Sequence, residues 1–143
     1  MSKENNVIET LKLLVDNSTT KYTILCGDDD FHIPDSLLKM AKILDNNTSF
    51  VGINGRALFF NPNKNYFTDY YLGELNQERS LERLLTLLNN YFEVLYSLFR
   101  TEALQKDFER TVEFKSGVSS FDRDVLPTCY AAIIGKIKHT NFL

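Results

Sequence analysis

The sequence predicts an α/β fold, a small and mainly parallel sheet flanked by helices, and three observations carry that expectation. Residues 21–33, KYTILCGDDDFHI, read as an apolar run over residues 22–26 that stops at Gly27 and is followed by Asp28, Asp29 and Asp30. A short run rich in aromatic and β-branched residues and ended by glycine is the pattern of a buried strand, and α/β strands present ligand sites at their carboxyl ends. Segments of helical spacing then alternate with strand-like runs, as expected when helices cover a sheet. Finally, 143 residues are one domain's worth of chain, with no internal repeat and no linker, so one domain over residues 1–143 is expected.

Val7, Ile8, Leu11, Leu14 and Val15 recur at helical spacing and predict an amphipathic helix over residues 5–15, ended by the turn-forming DNSTT. After the first strand and its acids, Pro34 sits where a first helical turn tolerates proline, and Leu37, Leu38, Ala41 and Leu44 give the next helix an apolar face. Residues 49–60, SFVGINGRALFF, predict a second strand with Gly52 and Gly55 marking a bulge or close approach. NPNKN at 61–65 is a turn cluster, and the aromatic patch Tyr66, Phe67, Tyr70 and Tyr71 reads as loop.

Leu81, Leu84, Leu85 and Leu88 predict a helix over 77–88. Residues 91–100, YFEVLYSLFR, satisfy both periods, and the Asn89-Asn90 break favours a strand. Thr101 can cap a helix reaching residue 110, residues 111–114 read as extended, 117–120 as a loop, and 125–134 as a final helix ended by Gly135.

A formal charge of −3 gives no reason to expect nucleic-acid or polybasic membrane binding. Cys26 and Cys129 lie far apart in apolar settings without a CxxC spacing, which predicts reduced core thiols. The N-terminus is unlike a signal peptide, and no run approaches the roughly 18 apolar residues of a membrane span. A soluble, cytoplasmic protein is the expectation.

Three adjacent acids repel one another and call for a counter-charge, for which Mg2+ or Mn2+ is suited: these ions take oxygen ligands, typically one or two carboxylates plus the oxygens of a bound phosphate. On an extended backbone Asp28 and Asp30 converge while Asp29 faces elsewhere. The plainer alternative is an acidic loop stabilised by the dipole of the helix that begins at Pro34. Phosphatases of the haloacid dehalogenase type need Thr or Val soon after their second Asp, whereas Phe31 and His32 follow here. Polymerase palms carry Gly-Asp-Asp in a hairpin, which Gly27-Asp28-Asp29 echoes, but a helix is expected after these acids.

The run ILCGDDDFHIPDSLLKMAKILDNN, then FVGINGRALFF, NQERSLERLL, YSLFRTEAL and AAIIGKIK, resembles the central and C-terminal part of a bacterial GT-A-fold glycosyltransferase of the family-two type. The resemblance implies metal-dependent transfer of a sugar from a nucleotide diphosphate sugar to a hydroxyl of a glycan acceptor. It places the ribose and metal-diphosphate contacts on Asp28 and Asp30, with Asp30 the better metal ligand and Asp29 beside them as a substrate contact. It also makes Asp122 and Asp124, in SFDRD, alternative general bases for the acceptor hydroxyl; either acid could instead cap the last helix.

Complete members of that family begin with a nucleotide-binding half, and nothing of the kind precedes residue 5. The expectation is therefore a truncated GT-A fold, inactive alone or completed by a second copy or a partner chain. The alternatives are a non-catalytic interaction module derived from a transferase and a polymerase palm-like fragment. Arg56 and Arg100 are candidate substrate-binding residues because a guanidinium fork suits phosphate or carboxylate; a structural salt bridge is the competing use. His32 is placed to reach a phosphate or to pack, and His139 reads as solvated. Tyr66, Tyr70 and Tyr71 suit a sugar ring or a lid, and Glu74, Glu78 and Arg79 a solvated helix face.

Overall fold

The computed structural model describes residues 7–114 and 121–143, the side chain of Asp122 excepted. The loop expected over 117–120 lies outside them. Helices α1 (Val7–Asp16), α2 (Pro34–Asn46), α3 (Ser80–Asn89), α4 (Thr101–Phe114) and α5 (Leu126–Ile134) alternate with strands β1 (Tyr22–Thr23), β2 (Phe50–Asn54), β3 (Ala57–Asn61), β4 (Tyr66–Tyr70), β5 (Leu98–Arg100) and β6 (Lys136–His139). A π-helical turn, Phe121–Val125, leads into α5. No helix among the described residues is long and apolar enough to cross a membrane.

The α/β class holds, but the sheet is mixed rather than mainly parallel. Its four strands lie in the order β1-β5-β2-β6, with β5 antiparallel to both neighbours and only β2 and β6 parallel. The β1–α2–β2 segment is the crossover that the alternating pattern predicts, yet β1 and β2 stand one strand apart and β5 fills the gap from the opposite direction. Strand direction is set by the path of the connections, which periodicity does not encode. It follows that β1, β2 and β6 all end at one edge of the sheet, where β5 begins.

The helices follow from their apolar spacing. Ser36, Met40 and Leu44 bury one stripe of α2, and Met40 and Leu44 form with Phe50, Ile53 and Leu98 the core on one face of the sheet. Ile8 and Val15 of α1, Leu87 of α3, Leu104 and Phe108 of α4, and Ala131 and Ala132 of α5 pack with Phe99 and Ile137 on the other. A register irregularity between Phe50 and Gly52 lets Phe50 and Ile53, three apart, face the same core. Residues 111–114 continue α4 instead of forming an extended segment, because Thr111 is buried at helical spacing from Phe108 and its hydroxyl reaches Asp107 Oδ1 at 3.3 Å.

The expected strand over 49–60 is two strands in different sheets. The chain leaves β2 at Asn54, turns through Gly55 and Arg56, and forms a separate antiparallel hairpin of β3 with β4. The patch expected as loop is thus β4. Its turn is held by Asn61 Oδ1, which accepts from the amides of Asn63 and Lys64 at 3.1 and 3.2 Å, and Asn65 supplies the left-handed residue at φ 49°. Of the strand expected over 91–100 only β5 is regular, and β6 occupies a segment in which no strand was expected.

Two arginines, Arg83 buried and Arg100 half-buried, bind the layers. Arg83, 5% exposed, donates to the carbonyls of Ala132, Ile133, Gln77 and Glu78, joining the end of α5 to the start of α3. Burial lowers its pKa, and Glu78 opposes that. Arg100 donates to Leu44 O at 2.6 Å, Asn47 O at 3.1 Å and Phe50 O at 3.0 Å, so its fork satisfies the orphan carbonyls at the end of α2.

Candidate functional site

The first strand is shorter than its sequence suggests. Past Thr23 the chain runs without regular pairing to Gly27, where a turn centred on Asp28 and Asp29 is closed by Asp30 N–H donating to Gly27 O at 3.3 Å. The Asp30 carboxylate folds back to accept from Gly27 N–H at 3.3 Å, and the Cys26 thiol reaches Asp30 O at 3.6 Å. His32 Nε2 donates to Leu25 O at 3.1 Å, latching the chain beyond the acids to the strand extension. Cys26 is exposed rather than a core thiol, because it points from the irregular segment and not from the sheet; Cys129 is half-buried, its pKa raised first by burial.

The acids sit on a turn and not on extended backbone. Alternation brings Asp28 and Asp30 together only on extended backbone. Here a Cβ on Gly27 would lie 2.8 Å from Asp30 Oδ2 and 3.2 Å from Asp29 Oδ1, so the carboxylates of Asp29 and Asp30 both lie over the bare Cα of Gly27. All three aspartates are exposed. None of them caps α2, whose N-cap residue Ile33 has no side-chain cap.

The turn borders a cleft of about 440 Å³ between the end of β1, helix α1 and the π-helical turn, lined by Leu25, Cys26, Gly27, Tyr96, Arg123 and Asp124 among others. Asp124 takes a bidentate ion pair from Arg123, with Nε at 2.8 Å and Nη2 at 2.9 Å, and does not cap α5. The Asp122 side chain lies outside the described residues. Tyr96, just before β5, was not singled out by sequence because it sits inside an apolar run. Its phenol pKa is raised by burial first, then by Glu93, Asp30 and Asp124, with Arg123 opposing. Asp30 and Asp124, ninety-odd residues apart in sequence, therefore act on one phenol at the carboxyl edge of the sheet.

The two arginines are elsewhere. Arg100 is occupied by backbone carbonyls and lines neither this cleft nor the next. Arg56 forms a bidentate pair with Asp69 across the base of the hairpin, at 2.6 and 3.1 Å, beside a second cavity. The pair holds the Asp69 carboxyl below its ordinary range and raises Arg56. Glu74 and Glu78, expected on a solvated face, pair with Lys138 and Lys136 of β6.

Among the described residues no three His, Cys, Asp or Glu side chains cluster as a metal cage. The acidic turn fits a different arrangement: a hard cation that arrives with its diphosphate and needs only one or two protein carboxylates. Asp28, Asp29 and Asp30 are the residues of the turn that could supply such a pair. The helix following the acids, α2, also separates this turn from the strand-turn-strand setting of a polymerase Gly-Asp-Asp. Comparison with protein-family models, with curated proteins and with solved structures gives no match.

Proposed function

We propose that this chain is a glycosyltransferase-like domain, of the family-two GT-A type, that transfers a sugar from a nucleotide diphosphate sugar to a hydroxyl of a glycan acceptor with Mg2+ or Mn2+. The observation that carries this reading is the shared edge: the acidic turn and Asp124 border one cleft at the carboxyl ends of the strands. Asp29 and Asp30 would hold the cation and diphosphate, with Asp28 as the third carboxylate of the turn. The cation, when bound, supplies positive charge to the departing diphosphate.

In an inverting reaction the acceptor oxygen forms its bond to the anomeric carbon as the bond to the diphosphate oxygen breaks, and the hydroxyl proton passes to a carboxylate. Asp124 is the described candidate for that base, with Asp122 the alternative. Arg123 holds both oxygens of Asp124, so base action requires the acceptor hydroxyl to replace one of those hydrogen bonds. Tyr96, which lines the same cleft, would orient the hydroxyl.

Titration with manganese and UDP, on the native chain and on the Asp29→Ala/Asp30→Ala double variant, tests the site. Binding by the native chain and its loss in the variant are expected. Equal behaviour of the two proteins, or no binding by either, sinks the reading.

A second reading, an interaction module, is favoured by the outer edge of β1, which has no strand beside it among the described residues, and by exposed Leu13 and Leu14 on neighbouring α1. Light scattering across a concentration series decides it: a monomer at every concentration removes self-association.

A further inference from the structure

The second cavity, of about 460 Å³, opens at the same edge of the sheet, between the base of the β3–β4 hairpin and the end of β6. Strands β1 and β6 are three steps apart, about 14 Å at normal strand spacing, so the two cavities are distinct. From this one we infer a binding site for a neutral, hydroxyl-rich ligand, a saccharide, held by the faces of Tyr70 and Tyr71 and by His139 Nε2. The inference stands on this cavity's own chemistry and does not depend on the acidic turn.

The charges around the cavity are already matched. Arg56 is paired bidentately with Asp69, and Glu74 lies 3.8 Å from Lys138. A phosphate or carboxylate would have to displace a carboxylate that is already bound; an uncharged ligand need not. Tyrosines supply the apolar body and polar tip that suit the C–H faces and hydroxyls of a sugar ring. Tyr71 stands edge-on against Phe92, ring centroids 5.8 Å apart, and both Tyr70 and Tyr71 are exposed.

The histidine is fixed in one tautomer by a buried amide. Asn54, 3% exposed, donates from Nδ2 to Gly73 O at 3.1 Å, and a carbonyl can only accept. The other end of the amide, Oδ1, must then face His139 Nδ1, 2.6 Å away, and an amide oxygen also only accepts. His139 Nδ1 therefore carries the proton and Nε2 keeps its lone pair for a donor in the cavity. Burial lowers the His139 pKa, Glu74 opposing, which keeps the ring neutral at pH 7. This is a sequence signal too dispersed to read: Asn54 and His139 are 85 residues apart.

The test is a nitrogen–proton NMR titration of the full chain with D-glucose, D-galactose and N-acetyl-D-glucosamine, and separately with glucuronate, inorganic phosphate and uridine. At least one neutral sugar is expected to shift the amides of Gly73, Glu74 and His139, and Tyr70→Ala, which removes an exposed ring, to weaken that response at least fivefold. Tyr71→Ala should do the same if its spectrum remains folded. The inference is overturned if none of the three sugars shifts these amides, if the shifts map elsewhere, if glucuronate, phosphate or uridine competes better, or if Tyr70→Ala binds unchanged. The manganese and UDP titration on the same samples reports the first cleft separately, so failure at one site is distinguishable from failure at the other.

Discussion

The cleft beside the acidic turn and the cavity beside the hairpin share one edge of one sheet, yet their electrostatics are opposite in kind. At the first, three exposed aspartates crowd a single turn, and among the described residues only Asp124 has a cationic partner in an ion pair. At the second, each charge has a partner and the histidine is neutral. A surplus of carboxylate selects ligands that bring positive charge with them; a balanced wall selects by shape and hydrogen bonding. The contrast teaches that proximity to the sheet edge does not by itself define a ligand class.

The largest test of this contrast is the Asp29→Ala/Asp30→Ala double variant. Its affinity for manganese-bound UDP should fall a hundredfold or more, about 3 kcal/mol, in calorimetric titration. Its response to neutral sugars should not change; a parallel loss at both sites breaks the distinction. Asn54→Leu is the mirror experiment. It strands the Nδ1–H of His139 and the carbonyl of Gly73, and should cost about 2 kcal/mol in urea unfolding while abolishing the sugar response and sparing UDP.

Asp107 provides a control outside both cavities. It is 1% exposed, its Oδ2 has no hydrogen-bond partner among the described residues, and burial raises its pKa well above the ordinary 3.8. The folded state therefore holds this proton more tightly than the unfolded chain, so stability is lost as pH rises from 3.8 towards the folded-state value. Asp107→Asn keeps an acceptor for Thr111 and should gain about 1 kcal/mol at pH 8, with both ligand titrations unaltered. The smallest effect is expected from His139. Its folded pKa lies below the ordinary 6.5, so its contribution is present above that value and is lost as pH falls from 6.5 through the folded pKa. His139→Gln should flatten that part of the thermal stability profile; an unchanged slope means the histidine is not buried as neutral.

The helices were legible because each buries a stripe at helical spacing, as Met40 and Leu44 do in α2. The strands were less so. Every residue of β4 is exposed, so the hairpin has no alternation to read, and β5 and β6 are only three and four residues long. The location of the acidic turn was plain from Gly27 and three aspartates, while its geometry was not, since a strand-like run at 22–26 stays regular for only two residues. Arg100 shows the limit of reading a fork as a ligand clamp: carbonyls at a helix end need the same donors. The pairing of Asn54 with His139 depends on β2 and β6 lying side by side, a fact of topology.

The position of β5 bears on how the chain reaches this state. Strands β1 and β2 are joined through α2 but cannot zip together, because the slot between them is reserved for residues 98–100. Until that segment arrives, a chain emerging from the ribosome holds a crossover with two unpaired inner edges, and β6 must then find β2 across most of the sequence. Such distant pairings slow folding and prolong the exposure of strand edges to aggregation. Both cavities are consequently late features of folding, since the edge they share is complete only when the last strand has docked.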